Sequence, residues 1–451
     1  MCKVRAIIRP GRRPPVYSSG LLKTAPFAAS ASGICRVPLG PAYAIVGLDI
    51  VASPLRGLSG CRLIGRMGMP QDAMAGRAAT AGAMGARLLP FTAIPVIDLA
   101  PLFGTDRTAL EATAREIGTA CETVGFFYIR NHGIPERLIE RTYAHSHRFH
   151  ASPLAQKQRV HVSQSPGSRG WIPLSWDDED GDPELYRLVE PKPDGDDYLT
   201  KPRLHEAFDL SLDIPADDPD FLAGNIMLVP NQWPDWLPGF HSEVMEYFDA
   251  VIALGDRLFR AFAVALDLPE QFFIERTRKP TSQLRLLHYP ANELPMNNDH
   301  LGIGAHSDFE CFTILHQQAP GLQVMNAADE WVEAPPIEGT FIVNIGDLLE
   351  GWTNGLFKAT QHRVVNIGKE RYSMPLFFAA DYHTEVTPLP QFVSAGNPAR
   401  YGRIIAGDHL AGFSINLCKH LRKRVLSGDL KIDFPIHAEN PFKRKAVNEA
   451  G

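Results

Sequence analysis

The sequence predicts a mainly β chain with flanking helices, an α+β protein whose core is a double-stranded β-helix, or jelly roll. From Val343 to Pro390 short apolar runs alternate with Gly, Asn and Pro, which fits antiparallel strands joined by turns better than a parallel sheet. Apolar stripes at helical spacing flank that region: Val244, Phe248, Val251, Leu258 and Phe262 before it, and Leu410, Phe413, Leu417, Leu421 and Val425 after it. The first stripe marks one long amphipathic helix packed on the outside of the sheet. The second is assigned to core packing, with closure over the barrel mouth or self-association as alternatives.

The 451 residues, 45% hydrophobic and 21% charged, suffice for a large core. No run of 18 apolar residues occurs, so no membrane span is expected. Charge is unevenly placed. Residues 1–90 hold twelve Lys or Arg against Asp49 and Asp72, a local charge of about +10 in a chain of −6, so the remainder is near −16. That leader lacks sustained periodicity and is expected to be a disordered tail, or the product of a start assigned too early, with Met67, Met69, Met74 or Met84 as the real beginning. An N-terminal targeting peptide is the alternative. Beyond it we divide the chain into an N-terminal helical and strand region (91–275), the jelly-roll core (276–390) and a C-terminal helical segment (391–451).

From Pro95 to Pro153 the pattern reads strand, helix, strand, helix. Leu110, Ala114, Ile117 and Cys121 mark the first helix, and Gly125 breaks it ahead of the apolar run Phe126–Ile129. Asn131-His132-Gly133 reads as a turn that His132 caps. His145, His147 and His150 are placed on a solvated helix face, not at a second metal site. The acidic stretch from Asp177 to Asp197 is expected to be a mobile surface loop, with a lid as the alternative. Gln283–Tyr289 reads as a strand that turns at Pro290. The cysteines Cys2, Cys35, Cys61, Cys121, Cys311 and Cys418 show no CxxC and no regular spacing, which favours a reducing cytoplasm over a disulfide framework. Cys311 is expected to be an inert small residue. No phosphate loop, dinucleotide fingerprint or basic stripe for nucleic acid is present.

The chemistry concentrates in two segments. His306 and Asp308, two residues apart, would project from one face of an extended strand, and His362 follows Asp308 by 54 residues on a strand returning across the barrel. Two neutral imidazoles and one carboxylate suit Fe(II) and leave coordination positions open, unlike a closed four-ligand zinc site. Arg371 and Ser373, nine and eleven residues past His362, alternate along a strand and face the same way. A guanidinium beside a hydroxyl makes a fork for a carboxylate, so an anchored dicarboxylate would reach the metal with its other end. Arg363 is read as structural, and Asp347 as a turn residue after a buried strand.

With His306-x-Asp308, His362 and Arg371-x-Ser373 in place, the chain resembles the iron(II)/2-oxoglutarate-dependent dioxygenases, in the branch that includes isopenicillin N synthase. The segments Ile94–Leu99, Gly125–Gly133, Thr313–Leu315, Gly321–Val324, Asn344–Asp347, Thr353–Gly355 and Phe377-Phe378 agree, so the likeness runs from about residue 92 to about 435. It implies Fe(II) held by His306, Asp308 and His362, 2-oxoglutarate as co-substrate on Arg371 and Ser373, and dioxygen. It also implies that Tyr289 points into the pocket toward co-substrate or substrate. Leu287 departs from the pattern, since many plant members carry Asn there, and Arg285 offers a supplementary charge. The activity implied is oxidation of a small molecule by hydroxylation, desaturation or cyclisation. Three other readings stay open: an oxidase that uses no 2-oxoglutarate, an ethylene- and succinate-forming enzyme, and a non-catalytic ligand sensor. The substrate and the oligomeric state are left open.

Overall fold

A computed structural model of the chain describes residues 90–174, 204–434 and 436, and the backbone of an antiparallel hairpin, β1 (Cys35–Leu39) with β2 (Ala42–Val46). Two units are distinguished, Met1–Gly82 and Ala83–Gly451. The hairpin falls in the predicted leader. Nearly all the rest of that leader, and the acidic stretch 177–197, lie outside the described residues.

The second unit continues with β3 (Val96–Asp98), β4 (Phe126–Arg130), β5 (Gly170–Ile172), β6 (Glu206–Ser211), β7 (Gln283–Tyr289) and β8 (Leu301–His306). Next come β9 (Phe312–Gln317), β10 (Leu322–Met325), β11 (Trp331–Glu333), β12 (Thr340–Ile345), β13 (His362–Val365) and β14 (Arg371–Phe378). A short pair, β15 (Glu385–Val386) and β16 (Ile404–Ile405), completes the set. Eight strands form one sheet in the order β3-β4-β12-β9-β14-β7-β6-β5, and four form another in the order β11-β10-β13-β8. Apart from the parallel pair β3 and β4, neighbouring strands in both sheets run antiparallel. The large sheet draws on both the 91–275 and the 276–390 segments.

Strand alternation sorts the large sheet into two faces. On one, Leu284, Leu286, Met374, Leu376, Phe312 and Ile314 join a core covered by helices. The helix Phe240–Ala265 buries Val244, Phe248, Val251, Leu258 and Phe262 as predicted, and Phe259 meets Phe312 and Phe378 edge-on at 4.9 and 5.2 Å. The helix Arg107–Thr123 starts where the Asp106 carboxylate accepts from the backbone N–H groups of Thr108 and Ala109. On the other face, Leu287, Tyr289, Ala207 and Ile342 pack with Val324 and Val364 of the small sheet, so a second core lies between the sheets. Leu410, Ala411, Ile415 and Leu421, from the helices Ala406–Leu417 and Lys419–Ser427, join this inner core.

The histidines of the helix Glu136–His150 depart from expectation. His147 is exposed, but His145 and His150 are buried, the first against Glu243 (3.0 Å) and the second with Nδ1 on the carbonyl of Ser146 (2.8 Å). His150 ends the stripe of Ile139, Tyr143 and Ser146 that faces the core, so helical position overrides its polarity. Beside it Glu206 accepts from Lys157 Nζ (2.8 Å) and Trp171 Nε1 (2.8 Å) and pairs with His288 Nδ1 (2.9 Å). Burial would raise the Glu206 carboxyl, but His288, His150, Lys157 and Trp171 outweigh it and hold the group at about 2. Burial depresses the His150 imidazole to about 3.

Both depressed groups make stability fall with acid. The unfolded chain protonates His150 below its ordinary value of 6.5, whereas the folded chain resists until about 3, so stability is lost across that window. Glu206 adds a loss from about 4.5 down to about 2. Urea midpoints measured from pH 7 to pH 4 are expected to fall less steeply for His150→Gln than for the unaltered chain.

Candidate metal centre

β8 ends at His306, and Asp308 lies two residues beyond it in the bend that leads to β9. The carboxylate therefore comes from the turn, not from the same strand face as the spacing suggests. β13 begins at His362, which the ladder sets directly opposite His306, with ring centroids 4.2 Å apart. Nε2 of His306 and of His362 lie 3.6 and 3.5 Å from Oδ1 of Asp308. Those separations exceed a good hydrogen bond and are within twice the roughly 2.1 Å of a metal–ligand bond. The three ligand atoms lie within 4.8 Å of one another, and among the described residues no other group of His, Cys, Asp or Glu is arranged to hold a metal.

Each ligand is oriented by a second contact. Nδ1 of His306 bonds the carbonyl of Gly304 (2.8 Å) and Nδ1 of His362 that of Thr360 (3.2 Å). The ring proton is thereby placed on Nδ1, and the Nε2 lone pair is left toward the site. Oδ2 of Asp308 accepts from the Thr313 hydroxyl and from Asn344 Nδ2 (2.7 Å), so Oδ1 alone faces the imidazoles. Burial would raise the Asp308 carboxyl, yet His362 and His306 hold it well below the usual carboxylate range. Burial, reinforced by His306, lowers His362 and keeps it a neutral ligand. Two imidazoles and one carboxylate, the ordinary donor set of an Fe(II) site, are thus brought together.

Two glycines permit this geometry. A Cβ on Gly346 would stand 2.3 Å from the carbonyl oxygen of Glu310 and 3.2 Å from that of Asp308, in the bend that carries the carboxylate. Gly346 N donates to Cys311 O (2.8 Å) and Asp347 N to Asp308 O (2.9 Å), which ties the bend to the end of β12. Gly125, at φ +74°, would meet Lys358 O and Thr360 Oγ1 at 2.3 Å, just before His362. Asp347 follows the buried strand β12, as expected, and opens the buried helix Asp347–Trp352.

Arg371, Ser373 and Tyr289 lie on the inner face of the large sheet, with Tyr289 opposite Arg371 in the ladder. The buried Arg371 donates from Nη1 to Ser373 Oγ (3.0 Å), from Nη2 to Gln317 Oε1 (2.8 Å) and from Nε to Pro320 O (3.2 Å). All three partners are neutral. Among the described residues its guanidinium has no carboxylate, although an uncompensated buried charge is costly. The Tyr289 hydroxyl is buried without a hydrogen-bond partner and its ring lies 4.8 Å from the guanidinium. A carboxylate ligand would satisfy both groups.

Other sequence expectations sort clearly. His132 Nδ1 accepts from Ile134 N (3.2 Å) as a turn cap. Arg363 bonds Gln323 (2.8 Å) and covers the Trp331 ring, a structural role. Cys311 is fully buried. Leu287 packs in the inner core, and Arg285 pairs with Asp209 instead of joining the clamp. Sequence reasoning does not single out Thr313, Asn344 or Gln317 as site residues. Their signal is alternation: the ladder sets Asn344 opposite Thr313 and Gln317 opposite Ser373, on the same inward face.

Replacing Asn344 by Ala should leave Oδ2 of Asp308 with Thr313 as its remaining side-chain donor and weaken iron binding about 10- to 100-fold in an anaerobic titration with Fe(II), the usual effect of removing a ligand's supporting hydrogen bond.

Residues 94–236 match the family described as non-haem dioxygenase in morphine synthesis N-terminal, and residues 280–380 match the 2OG-Fe(II) oxygenase superfamily. A 2-oxoglutarate-Fe(II) type oxidoreductase of Emericella nidulans is 34% identical over 332 residues, covering 71% of this chain and 89% of that protein. A homoarginine-6-hydroxylase of Glycine max is 32% identical, covering 71% and 96%. Among solved structures, a full-length Neurospora crassa protein in complex with alpha-KG and thymine superposes with a TM-score of 0.60 at 28% identity, covering 72% of this chain and 97% of that one. JOX2 in complex with 2OG, Fe and JA gives 0.53 at 27% identity, covering 72% and 85%.

Proposed function

The chain belongs to the 2OG-Fe(II) oxygenase superfamily, and from that premise we propose that His306, Asp308 and His362 hold its iron while Arg371, Ser373 and Tyr289 hold the far carboxylate of 2-oxoglutarate. The protein is an oxidoreductase that uses Fe(II), 2-oxoglutarate and dioxygen to oxidise a small molecule. Relatives named for 2-oxoglutarate, or solved with it, lend no support to the oxidase, ethylene-forming or sensor readings. When bound, the metal supplies activation of dioxygen, coupled to conversion of 2-oxoglutarate to succinate and carbon dioxide.

The residues supply placement. Asp308 and the two imidazoles would hold the ion with three donors, so coordination positions would remain for co-substrate and dioxygen. Arg371 fixes the distal carboxylate through charge-assisted hydrogen bonds, Ser373 sets the guanidinium plane, and Tyr289 adds a donor, so the keto acid end is delivered toward the Nε2 atoms. Phe126, edge-on to His362 at 5.2 Å, sets an apolar ring against one of the proposed ligands. The observation that carries the assignment is the buried guanidinium of Arg371, which has only neutral partners among the described residues and lies on the inward face shared with Thr313 and Asn344. We further assign the protein to the cytoplasm and to a small-molecule substrate, not a nucleic acid. The free and buried Cys121, Cys311 and Cys418 are in keeping with that compartment.

His306→Ala or Asp308→Ala should abolish substrate-coupled succinate formation while far-ultraviolet circular dichroism stays unchanged; coupled turnover in either variant would refute the metal assignment. Arg371→Gln removes the charge-assisted contact and is expected to raise the KM for 2-oxoglutarate about 10- to 100-fold, with a smaller effect on kcat. An unchanged KM would show that the co-substrate is anchored elsewhere.

A further inference from the structure

The inward face of the large sheet carries a row of side chains across three neighbouring strands, with β7 between β6 and β14. The ladder sets Tyr289 opposite Arg371 on β14. On the other side, one step beyond the pair Glu206 with His288, the same register brings His205 opposite Tyr289. The rings of His205 and Tyr289 lie 5.5 Å apart, and the Arg371 guanidinium lies 4.8 Å from the Tyr289 ring, about one strand spacing on either side. The small sheet closes over this row at Gly302 of β8. A Cβ there would stand 3.0 Å from Cε1 and 3.2 Å from Cδ1 of Tyr289, and 3.2 Å from Cγ1 of Val364, so the bare backbone is what lets the two sheets approach this closely. His205 Nδ1 donates to the carbonyl of Gly302 (2.8 Å), which ties the residue before β6 to β8 across the sheets. The Tyr289 hydroxyl is buried without a hydrogen-bond partner among the described residues, so packing directs the ring. A cleft lined in part by Leu204, Pro290 and Val365 borders Tyr289 and Arg371, so unfilled space adjoins the row.

We propose that His205 and Gly302 are positioning residues for the co-substrate: together they confine the Tyr289 ring beside the Arg371 guanidinium, and through that ring they set the affinity for 2-oxoglutarate. The inference rests on the iron and 2-oxoglutarate reading above. A hydroxyl donates well only when it is aimed at its acceptor, and a ring that no hydrogen bond tethers keeps its aim through the atoms packed against it. His205 at one flank and the backbone of Gly302 above supply those atoms. Gly302 matters a second time because His306, a proposed iron ligand, stands four residues farther along β8. One end of that strand thus faces the metal and the other packs on the carboxylate clamp, and 2-oxoglutarate has to reach both.

The test is anaerobic calorimetry on the full chain, first with Fe(II) alone and then with 2-oxoglutarate on the Fe(II)-loaded protein. Tyr289→Leu, which removes the ring, is expected to raise the Kd of 2-oxoglutarate about 10- to 100-fold, the worth of a hydrogen bond to a charged group. Gly302→Ala and His205→Ala, which only release or displace the ring, should each raise it roughly 5-fold, part of that range. Both should leave the Kd of Fe(II) unchanged, whereas a general loosening of β8 would weaken iron binding as well, because His306 lies on that strand. In the Tyr289→Leu background neither substitution should have a further effect, since coupled residues do not add. Should Gly302→Ala fail to fold, His205→Ala carries the same comparison. An unchanged Kd of 2-oxoglutarate in either folded variant or in Tyr289→Leu, a parallel loss of Fe(II) affinity, or effects that persist undiminished without the ring would overturn the inference. Arg371→Gln in the same cell separates the two levels. If it weakens 2-oxoglutarate binding while Gly302→Ala and His205→Ala do not, this inference alone fails; if it leaves that binding intact, the parent reading fails and this one falls with it.

Discussion

The site depends on how the two oxygens of one buried carboxylate are divided. Thr313 and Asn344 take Oδ2 of Asp308, and Oδ1 is left equidistant from two imidazoles whose other nitrogens are already spent on backbone carbonyls. Nothing in this arrangement is free to turn away. A buried carboxylate persists here because hydrogen-bond donors hold its Oδ2, and the negative charge left on Oδ1 between two imidazole nitrogens makes the site attractive to a dication. Gly346 lets the bend holding Asp308 pass against the end of β12, and Gly125 does the same for the segment entering His362. The fold thereby fixes backbone approach before any side chain is chosen.

The large sheet separates two tasks by strand alternation. Its outward face packs under the helix Phe240–Ala265 and supplies the stability of a broad apolar core. Its inward face carries, along neighbouring strands, Thr313 and Asn344 that support Asp308, the Arg371, Ser373 and Tyr289 group proposed to hold a carboxylate, and the Asp209–Arg285 pair. A residue step of one along any of these strands exchanges core for site, so register is held from both sides. The Glu206, His288 and Lys157 cluster, on the outward side of the strands that hold the clamp, adds polar contacts that pin β6, β7 and β14 to one another.

Much of this is legible in the sequence. The convergence of His306, Asp308 and His362 and the pairing of Arg371 with Ser373 can be read because metal and carboxylate chemistry restrict residue types severely, and the long helix because its apolar stripe spans many turns. What escapes is set by contacts distant along the chain. The fork between Arg285 and Asp209 depends on a β6 to β7 register across 76 residues, which no local pattern encodes. His145 and His150 read as solvated because histidine is polar, although their helical position beside Tyr143 and Phe149 turns them inward. Asp308 leaves its strand because β8 stops at His306, and a two-residue difference in strand end is below what alternation reveals.

The account is tested most directly by a crystal structure of the full chain grown anaerobically with Fe(II) and 2-oxoglutarate, with anomalous scattering recorded at the iron edge. A single iron peak bonded to Nε2 of His306, Nε2 of His362 and Oδ1 of Asp308, with the distal carboxylate of the co-substrate on Arg371, is the predicted result. An iron peak away from these three atoms, or a co-substrate carboxylate that leaves Arg371 without an anion, would contradict it.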